Sequence, residues 1–197
     1  MLALTLMRKG SRLQAGFTLT ELMAVVIIVG VLAVTGVTYF RKHAFASKVT
    51  EAQAMVQSIR AAEERYRAEN RQYLPTTSSS AWPTCQSKTG LYPAKPDGMS
   101  RPFYLPKDST ENNNAVWWEL KPTTSGYVQF GYVVRAGAPS PSTPVSLPPD
   151  IRNAPSFQPS DSWYAIEAIA DNGNDNVCCI VAGTSTNGEL YVQDEGE

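Results

Sequence analysis

The sequence contains few of the residues on which common enzyme mechanisms depend. Its 197 residues include one histidine and three cysteines. It has neither a Walker-type glycine loop nor a G-x-S-x-G motif. Nucleophilic, zinc-dependent and phosphoryl-transfer mechanisms therefore lack their usual parts, and we do not expect an enzyme.

An excess of positive charge is also lacking. The chain has 17 basic and 18 acidic side chains, which gives a formal net charge of -1. Proteins that bind nucleic acids usually cluster Lys and Arg on one face. The composition therefore gives no indication of a nucleic-acid partner.

Charge and proline are both scarce near the N-terminus. The residues from Phe17 to Phe40 carry one charged side chain, Glu21, and no proline occurs between Phe17 and Leu74. As a helix, the segment 17–40 would span about 36 Å, somewhat more than the roughly 30 Å hydrocarbon core of a bilayer. We therefore predict one membrane-spanning helix. An ionised carboxylate within such a helix implies a partner or a function.

The residues around Glu21 form an ordered motif. A short basic leader, residues 1–16, ends at Gly16, then Phe17 follows, and Glu21 lies four residues further on. This order resembles the class III signal of type IV pilins and the related pseudopilins. The resemblance implies that a prepilin peptidase cleaves between Gly16 and Phe17 and that the new N-terminus at Phe17 is methylated. It also implies a role for Glu21 in subunit assembly.

Two features of the N-terminal segment leave alternatives open. Translation could start at Met1 or at Met7, and a start at Met7 would give a leader of ordinary length. An ordinary secretory signal could be cleaved near Ala44-Phe45-Ala46, but the apolar run exceeds the usual 7 to 15 residues and contains Glu21. We therefore favour the class III signal.

The helical pattern continues beyond the apolar run and becomes one-sided. Apolar side chains recur every three or four residues, and we expect this stripe to pack on a domain core. A helix from about Phe17 to Arg71 would be roughly 80 Å long. The family layout implied by the resemblance is α+β: a long N-terminal spine helix, with a transmembrane first half and an amphipathic second half, packed on a C-terminal antiparallel β-sheet. The stripe consists of Phe45, Val49, Ala52, Val56, Ile59, Ala62 and Tyr66.

The remainder of the chain divides by composition. After the amphipathic half, 41–74, we expect an irregular proline-containing region, 75–114, and then a sheet domain, 115–197. A proline-rich stretch, 139–159, cannot form a central strand and is expected to be a surface loop. Strands are predicted at 115–120 and 127–135, joined as an antiparallel hairpin, and at 162–170, 177–182 and 189–192. The hairpin face expected to meet the spine helix carries Val128, Phe130, Tyr132 and Val134.

Three cysteines allow one disulfide. If the domain lies outside the cytoplasm, oxidising conditions favour pairing of Cys85 with Cys178 or Cys179. Adjacent strand residues point to opposite faces, so only one of Cys178 and Cys179 can reach a given partner. Three buried thiols are the alternative, because cysteine is among the most buried residue types.

A late polar loop is the one cluster that looks like a ligand site. Oxygen-bearing side chains of Asp171, Asn172, Asn174 and Asp175 alternate around a glycine and could bind Ca²⁺. The loop resembles the Asp- and Gly-rich turn near the C-terminus of many pilins, some of which bind calcium. It lacks the bidentate Glu of an EF-hand, and these residues are also ordinary turn formers, which is the interpretation we favour.

These observations favour a structural subunit of a type IV pilus-like filament, in particular a minor pilin. A type II secretion pseudopilin is the close alternative, and a single-span anchored extracytoplasmic binding protein is the alternative from another class. The resemblance implies other pilin subunits, the prepilin peptidase and the inner-membrane assembly machinery as partners. It also implies an inner-membrane protein with a periplasmic C-terminal domain that later reaches the pilus and the cell surface. Thr38 departs from the family, which often has proline there.

Overall fold

The computed structural model describes residues 16–104, 114–148, 156–171 and 177–193. The chain divides into two compact units, Met1–Arg41 and Lys42–Glu197. The elements within the described residues are α1 (Leu19–Asn70), β1 (Arg101–Pro102), α2 (Asn114–Leu120), β2 (Tyr127–Val128), β3 (Gly131–Gly137), β4 (Trp163–Ala170), β5 (Cys179–Thr184) and β6 (Leu190–Gln193).

Helix α1 confirms the predicted spine helix. It runs for 52 residues and ends close to the predicted position. Arg71 follows it with a φ of 61°, and its backbone N–H donates to the carbonyl oxygen of Arg67 at 2.8 Å. A left-handed residue at this point turns the chain out of the helix, and Pro75 cannot resume it.

The apolar stripe on the second half of α1 packs as predicted. Val49, Ala52, Val56 and Ile59 are almost completely buried. They share one core with the inner face of the sheet, which is the face expected from the sequence. The sheet residues of this core include Val128, Phe130, Tyr132, Val134, Tyr164, Ile166, Ala168, Cys179 and Val181.

The main sheet is a four-stranded antiparallel meander in the order β3-β4-β5-β6. Strands β4, β5 and β6 lie within one or two residues of three predicted strands. All eight residues of β4 are buried, because a second core covers the other face of the sheet. This second core includes Trp82, Cys85, Leu91, Val133, Leu147, Ile169, Cys178 and Ile180.

The prediction of a strand at 115–120 was wrong, because these residues form helix α2. Trp117 and Leu120 are its fully buried side chains, and their spacing of three residues suits a helix. Lys121 ends the helix with a φ of 45°, and its N–H donates to the carbonyl oxygen of Trp117. In so short a segment, aromatic and β-branched residues favour a strand by composition although packing selects a helix.

The predicted hairpin between 115–120 and 127–135 was therefore also wrong. The second segment is two strands, β2 and β3, separated by Gln129 and Phe130. Glu51 on α1 explains the interruption, since its Oε1 accepts the backbone N–H of Gln129 at 3.0 Å. Strand β2 pairs with β1 instead, and β3 pairs with β4.

The region 75–114, predicted to be irregular, contains β1 and also covers the outer edge of β3. Thr76 and Val134 exchange hydrogen bonds, and Tyr92 and Tyr132 exchange two backbone hydrogen bonds. These contacts satisfy backbone groups that an open sheet edge would leave unpaired.

The described part of the proline-rich stretch lies against the second core. Val145 and Phe157 form an isolated antiparallel bridge, and Leu147 is buried. The indole N–H of Trp82 donates to the carbonyl oxygen of Ser146 at 2.9 Å. Within its described residues the stretch contains no regular strand, as expected.

Candidate processing and assembly site

The predicted cleavage position lies on irregular chain ahead of α1. Gly16, Phe17 and Thr18 precede the first helical residue, Leu19. Phe17 is 87% exposed, and a Cβ added at Gly16 would meet no described atom within 4 Å. The Gly16–Phe17 peptide bond is therefore accessible and free of helical hydrogen bonds. A requirement for glycine at this position does not arise from packing within the subunit.

Thr18 and Glu21 form a capping box at the start of α1. The backbone N–H of Thr18 donates to Glu21 Oε2 at 2.9 Å, and the Thr18 hydroxyl donates to the same oxygen at 2.9 Å. The backbone N–H of Glu21 points back to the Thr18 hydroxyl oxygen at 3.3 Å. Such reciprocal bonds satisfy N–H groups that a helix start leaves unpaired.

The capping box gives Glu21 a role within its own subunit. Its carboxylate also lies in the first turn of α1, where a negative charge is stabilised by the helix dipole. Sequence reasoning identified Glu21 and missed Thr18. The signal was present, because Thr18-Leu19-Thr20-Glu21 matches the S/T-x-x-E pattern of a capping box.

The first half of α1 presents apolar side chains on every side. Residues Leu19–Val37 have a mean hydropathy of 2.3, and none of this span is buried within the described part of the chain. At 1.5 Å per residue, the span is about 28 Å long and is sufficient to cross a bilayer core. A helix that is apolar all round needs lipid or other helices around it.

The disulfide joins Cys85 to Cys178, one of the two partners that the sequence left open. The S–S distance is 1.99 Å, and the Cα atoms are 5.6 Å apart. Cys178 belongs to the second core, whereas Cys179 is buried in the first core. The two adjacent cysteines thus face opposite sides of the sheet, and only Cys178 faces Cys85.

Of the residues considered for calcium, only Asp171 lies within the described part of the chain. Asn172, Asn174 and Asp175 lie outside it. Asp171 is almost fully buried, and its Oδ2 accepts Lys88 Nζ at 2.8 Å. A calcium ion bound to this oxygen would have to displace the ammonium group of Lys88.

Asp171 also lies close to the sulfur atoms of Cys85 and Cys178. The three potential ligand atoms are within 4.8 Å of one another. Metal binding by cysteine requires a thiolate, and both sulfurs are committed to the disulfide. In the oxidised chain this cluster is therefore a partly buried ion pair beside a disulfide.

Comparisons with known proteins agree with the geometry of the N-terminal segment. The family model described as the prokaryotic N-terminal methylation motif matches residues 11–37. The chain is 32% identical over 115 residues to the type II secretion system core protein G of Pseudomonas aeruginosa. This alignment covers 58% of the chain and 79% of that protein. No solved structure matches the chain.

Proposed function

Because this chain belongs to the type IV pilin-like family of pilins and pseudopilins, we propose that it is a structural subunit of a type IV pilus-like filament. The observation that carries the proposal is the combination at the start of α1: an accessible Gly16–Phe17 bond, a carboxylate four residues later, and an apolar helix of membrane-spanning length. A membrane anchor alone would need only the last of these features.

In this proposal the apolar half of α1 has two successive environments. Lipid surrounds it while the subunit waits in the inner membrane, and neighbouring helices surround it in the filament. The exposed apolar residues from Leu19 to Phe40 suit both environments, because neither requires polar contacts. Extraction from lipid then exchanges one apolar surrounding for another.

Glu21 would neutralise the amino group of Phe17 on a neighbouring subunit. Cleavage creates a positive charge at Phe17, and a filament core would bury it. A buried charge without a partner is strongly unfavourable, whereas a hydrogen-bonded ion pair lowers that cost. The capping box supports this role, because it holds the Glu21 carboxylate at the same end of the helix as Phe17.

The proposed partners and location follow from the same site. A prepilin peptidase would cleave and methylate the chain, and the inner-membrane assembly machinery would move it into the filament. The disulfide between Cys85 and Cys178 supports a periplasmic position of the C-terminal domain, since disulfides persist in oxidising compartments. Assembly would then carry this domain to the cell surface.

Within this function we favour a minor pilin, on the basis of Thr38 and the large proline-rich stretch 139–159. A pseudopilin in a type II secretion system is the second candidate. It is supported by the similarity to core protein G, which extends over 79% of that protein and so includes more than the N-terminal motif. Deletion of the gene separates the two roles: loss of surface filaments with normal protein secretion supports the pilin, and the reverse supports the pseudopilin.

The first test concerns maturation. Mass spectrometry of the protein from its native membrane should find N-methylated phenylalanine at Phe17. Gly16→Ala should abolish this product, whereas Gly30→Ala should not, although both glycines have open space around them. An intact Met1 or Met7 in the unsubstituted protein would support the alternative of a single-span anchored binding protein and overturn the proposal.

The second test concerns assembly. Glu21→Ala should leave cleavage largely intact and strongly reduce incorporation into filaments, because the terminal amine of a neighbour would be buried without a partner. The measurement is the ratio of filament-bound to membrane-bound mature chain. Normal incorporation of Glu21→Ala would contradict the pairing with Phe17.

A further inference from the structure

The C-terminal end of α1 forms one wall of an open cleft. The cleft has a volume of about 620 Å³, within the roughly 300–1,000 Å³ that is typical of small-molecule sites. Its other walls are the end of β3 with the residues that follow it, and the two residues before β4. All of them belong to the C-terminal unit, so the cleft does not depend on the position of the apolar half of α1.

Arg67 is held at this cleft with part of its guanidinium group available. Its Nη1 donates to the hydroxyl oxygen of Tyr73 at 2.7 Å, and its guanidinium carbon lies 5.0 Å from the centre of the Tyr73 ring. The Tyr73 ring is buried and packs edge-on against Tyr164. Within the described part of the chain, Nε and Nη2 of Arg67 form no hydrogen bond. The protein therefore positions this side chain without using all of its donors.

Arg71 brings a second guanidinium group to the cleft. It follows the last residue of α1 directly, and its side chain is exposed. Among the described residues this side chain has no ion pair. A guanidinium group presents its N–H donors as a fork that matches the two oxygens of a carboxylate. Two such groups in one cleft favour an anionic ligand.

The carboxylate of Asp161 also lines the cleft and restricts which anion it suits. Its charge acts on Arg67, but the two side chains form no direct ion pair. Two arginines and one aspartate leave a formal charge of +1 on the lining. A phosphate group carries about -1.5 to -2 at pH 7 and exceeds this charge. A single carboxylate balances it, and a hydroxyl group on the same ligand can donate to Asp161.

A second recess continues the cleft past Arg67. Its volume is about 240 Å³, and it shares Arg67, Tyr73, Asp161 and Ser162 with the cleft. An engineered cavity of roughly 150 Å³ admits a benzene ring, so the cleft and the recess have room for two adjoining six-membered rings. Hydroxyl side chains both donate and accept hydrogen bonds. Three more of them line the recess, namely Ser160, Ser185 and Thr186.

We infer that the cleft and the recess bind an acidic polysaccharide through a uronate sugar. The carboxylate of the sugar binds Arg67 and Arg71, its hydroxyl groups donate to Asp161, and the next sugar of the chain lies in the hydroxyl-lined recess. An acidic peptide also carries carboxylates, but it has few hydroxyl groups for this lining. The inference goes beyond the proposed function, because it concerns the C-terminal unit and does not require a filament.

Calorimetric titration of the full-length, detergent-solubilised chain with a trimer of galacturonate tests the inference. We expect saturable binding. The methyl ester of the same trimer keeps the rings and loses the charges, and it should bind at least about tenfold more weakly because the charge-assisted bonds to the arginines are lost. Triglutamate represents an acidic peptide and should also bind at least about tenfold more weakly. No binding of the trimer, or equal affinity for either comparison ligand, would overturn the inference.

Three substitutions locate the binding. Arg71→Gln keeps a long polar side chain at an exposed position, so it should fold normally and bind the trimer at least about tenfold more weakly. Lys95→Gln removes a positive charge from an exposed position outside the cleft and should bind as the unsubstituted chain does. Asp161→Ala should also weaken binding, because an acceptor for the sugar hydroxyls is lost.

Asp161→Ala distinguishes recognition of the sugar from general attraction between charges. General attraction predicts tighter binding by this variant, because a negative charge is removed. Tighter binding by Asp161→Ala, or equal affinities of Arg71→Gln and Lys95→Gln, would therefore overturn the inference.

These experiments separate the inference from the proposed function. A methylated Phe17 and normal filaments without binding of the trimer would overturn only the sugar site. Binding of the trimer by a chain whose N-terminus is unprocessed in its native host would support the sugar site and overturn the proposed function.

Discussion

Glu63 is a buried carboxyl group on α1. Its side chain is 0% exposed, and Oε2 accepts the backbone N–H of Leu74 at 2.9 Å. Oε1 is buried and has no hydrogen-bond partner among the described residues. Burial, with a smaller contribution from the charge of Glu64, raises the pKa of Glu63 to about 7, although the bond from Leu74 opposes this shift.

This pKa predicts that stability depends on pH. The folded chain binds the Glu63 proton more tightly than the unfolded chain, whose pKa is near the ordinary value of 4.5. The stabilising contribution is complete below about pH 4.5 and is lost as the pH rises to about 7. The difference corresponds to about 3 kcal/mol in the free energy of unfolding. Glu63→Gln should therefore stabilise the protein at pH 8 and have little effect at pH 4.5.

Denaturant unfolding of the detergent-solubilised chain at several pH values measures this effect. The amide oxygen of Gln can still accept the Leu74 N–H, so the substitution removes mainly the titration. Glu69→Gln, at an exposed position on the same helix, is the matched control for the change of residue type. An unfolding free energy of Glu63→Gln that parallels the unsubstituted protein from pH 4.5 to 8 would exclude the raised pKa.

The polar residues of α1 also show what the sequence could not predict at this scale. Arg60 and Glu63 do not belong to the apolar stripe of α1, and polar residues outside such a stripe usually face solvent. Both are buried, and the Arg60 guanidinium donates to the carbonyl oxygens of Thr184, Asn187 and Gly188. The groups that bond to these two side chains are backbone atoms of distant segments. The sequence does not reveal which backbone atoms will lie beside a given side chain.

At the scale of elements, the disulfide fixes the irregular region to the sheet. It connects Cys85 to Cys178 across a separation of 93 residues, just before β5. Among its described residues, backbone hydrogen bonds also hold this region: Thr76 and Tyr92 bond to β3, and β1 pairs with β2. The covalent link therefore restricts a long loop in the unfolded chain.

Loss of the disulfide should destabilise the C-terminal unit substantially. Replacing both Cys85 and Cys178 by Ser should lower the free energy of unfolding by about 2–5 kcal/mol. A reductant should lower the unfolding midpoint of the unsubstituted protein in the same way and should not affect the double variant. Cys179→Ala should remain sensitive to the reductant, because Cys179 lies outside the disulfide. Equal midpoints for the unsubstituted protein with and without reductant would contradict the prediction.

Helix α1 and strands β4 to β6 could be predicted from the sequence, whereas helix α2 could not. Helix α1 is long enough to define a helical period, and strands β4 to β6 are apolar runs bounded by turn residues. Helix α2 has seven residues, too few to distinguish a helical from a strand period by composition. It is supported by long-range contacts: Trp117 and Leu120 are buried in the core, and Arg65 donates to the carbonyl oxygens of Leu120 and Lys121.

At the scale of the whole molecule, Glu21 has two roles at the N-terminal end of α1. In the single chain it caps the helix through Thr18, and in the proposed filament it pairs with the amine of Phe17 on a neighbour. Both roles use the carboxylate, but only the cap uses the Thr18 hydroxyl. Substitution of Thr18 can therefore weaken the cap while the charge of Glu21 remains.

Thr18→Val should reduce assembly less than Glu21→Ala does. Loss of a capping side chain costs about 1 kcal/mol, so filament incorporation per mature subunit should fall by roughly fivefold, with cleavage after Gly16 retained. Thr35→Val is the control, because the Thr35 hydroxyl bonds to carbonyl oxygens of its own helix and caps nothing.

If Thr18→Val abolishes incorporation as completely as Glu21→Ala, then the capping box itself is required for assembly and pairing with Phe17 is not a separate function of Glu21. If it has no effect, the start of α1 is held by contacts with neighbouring subunits, and the cap matters only before assembly.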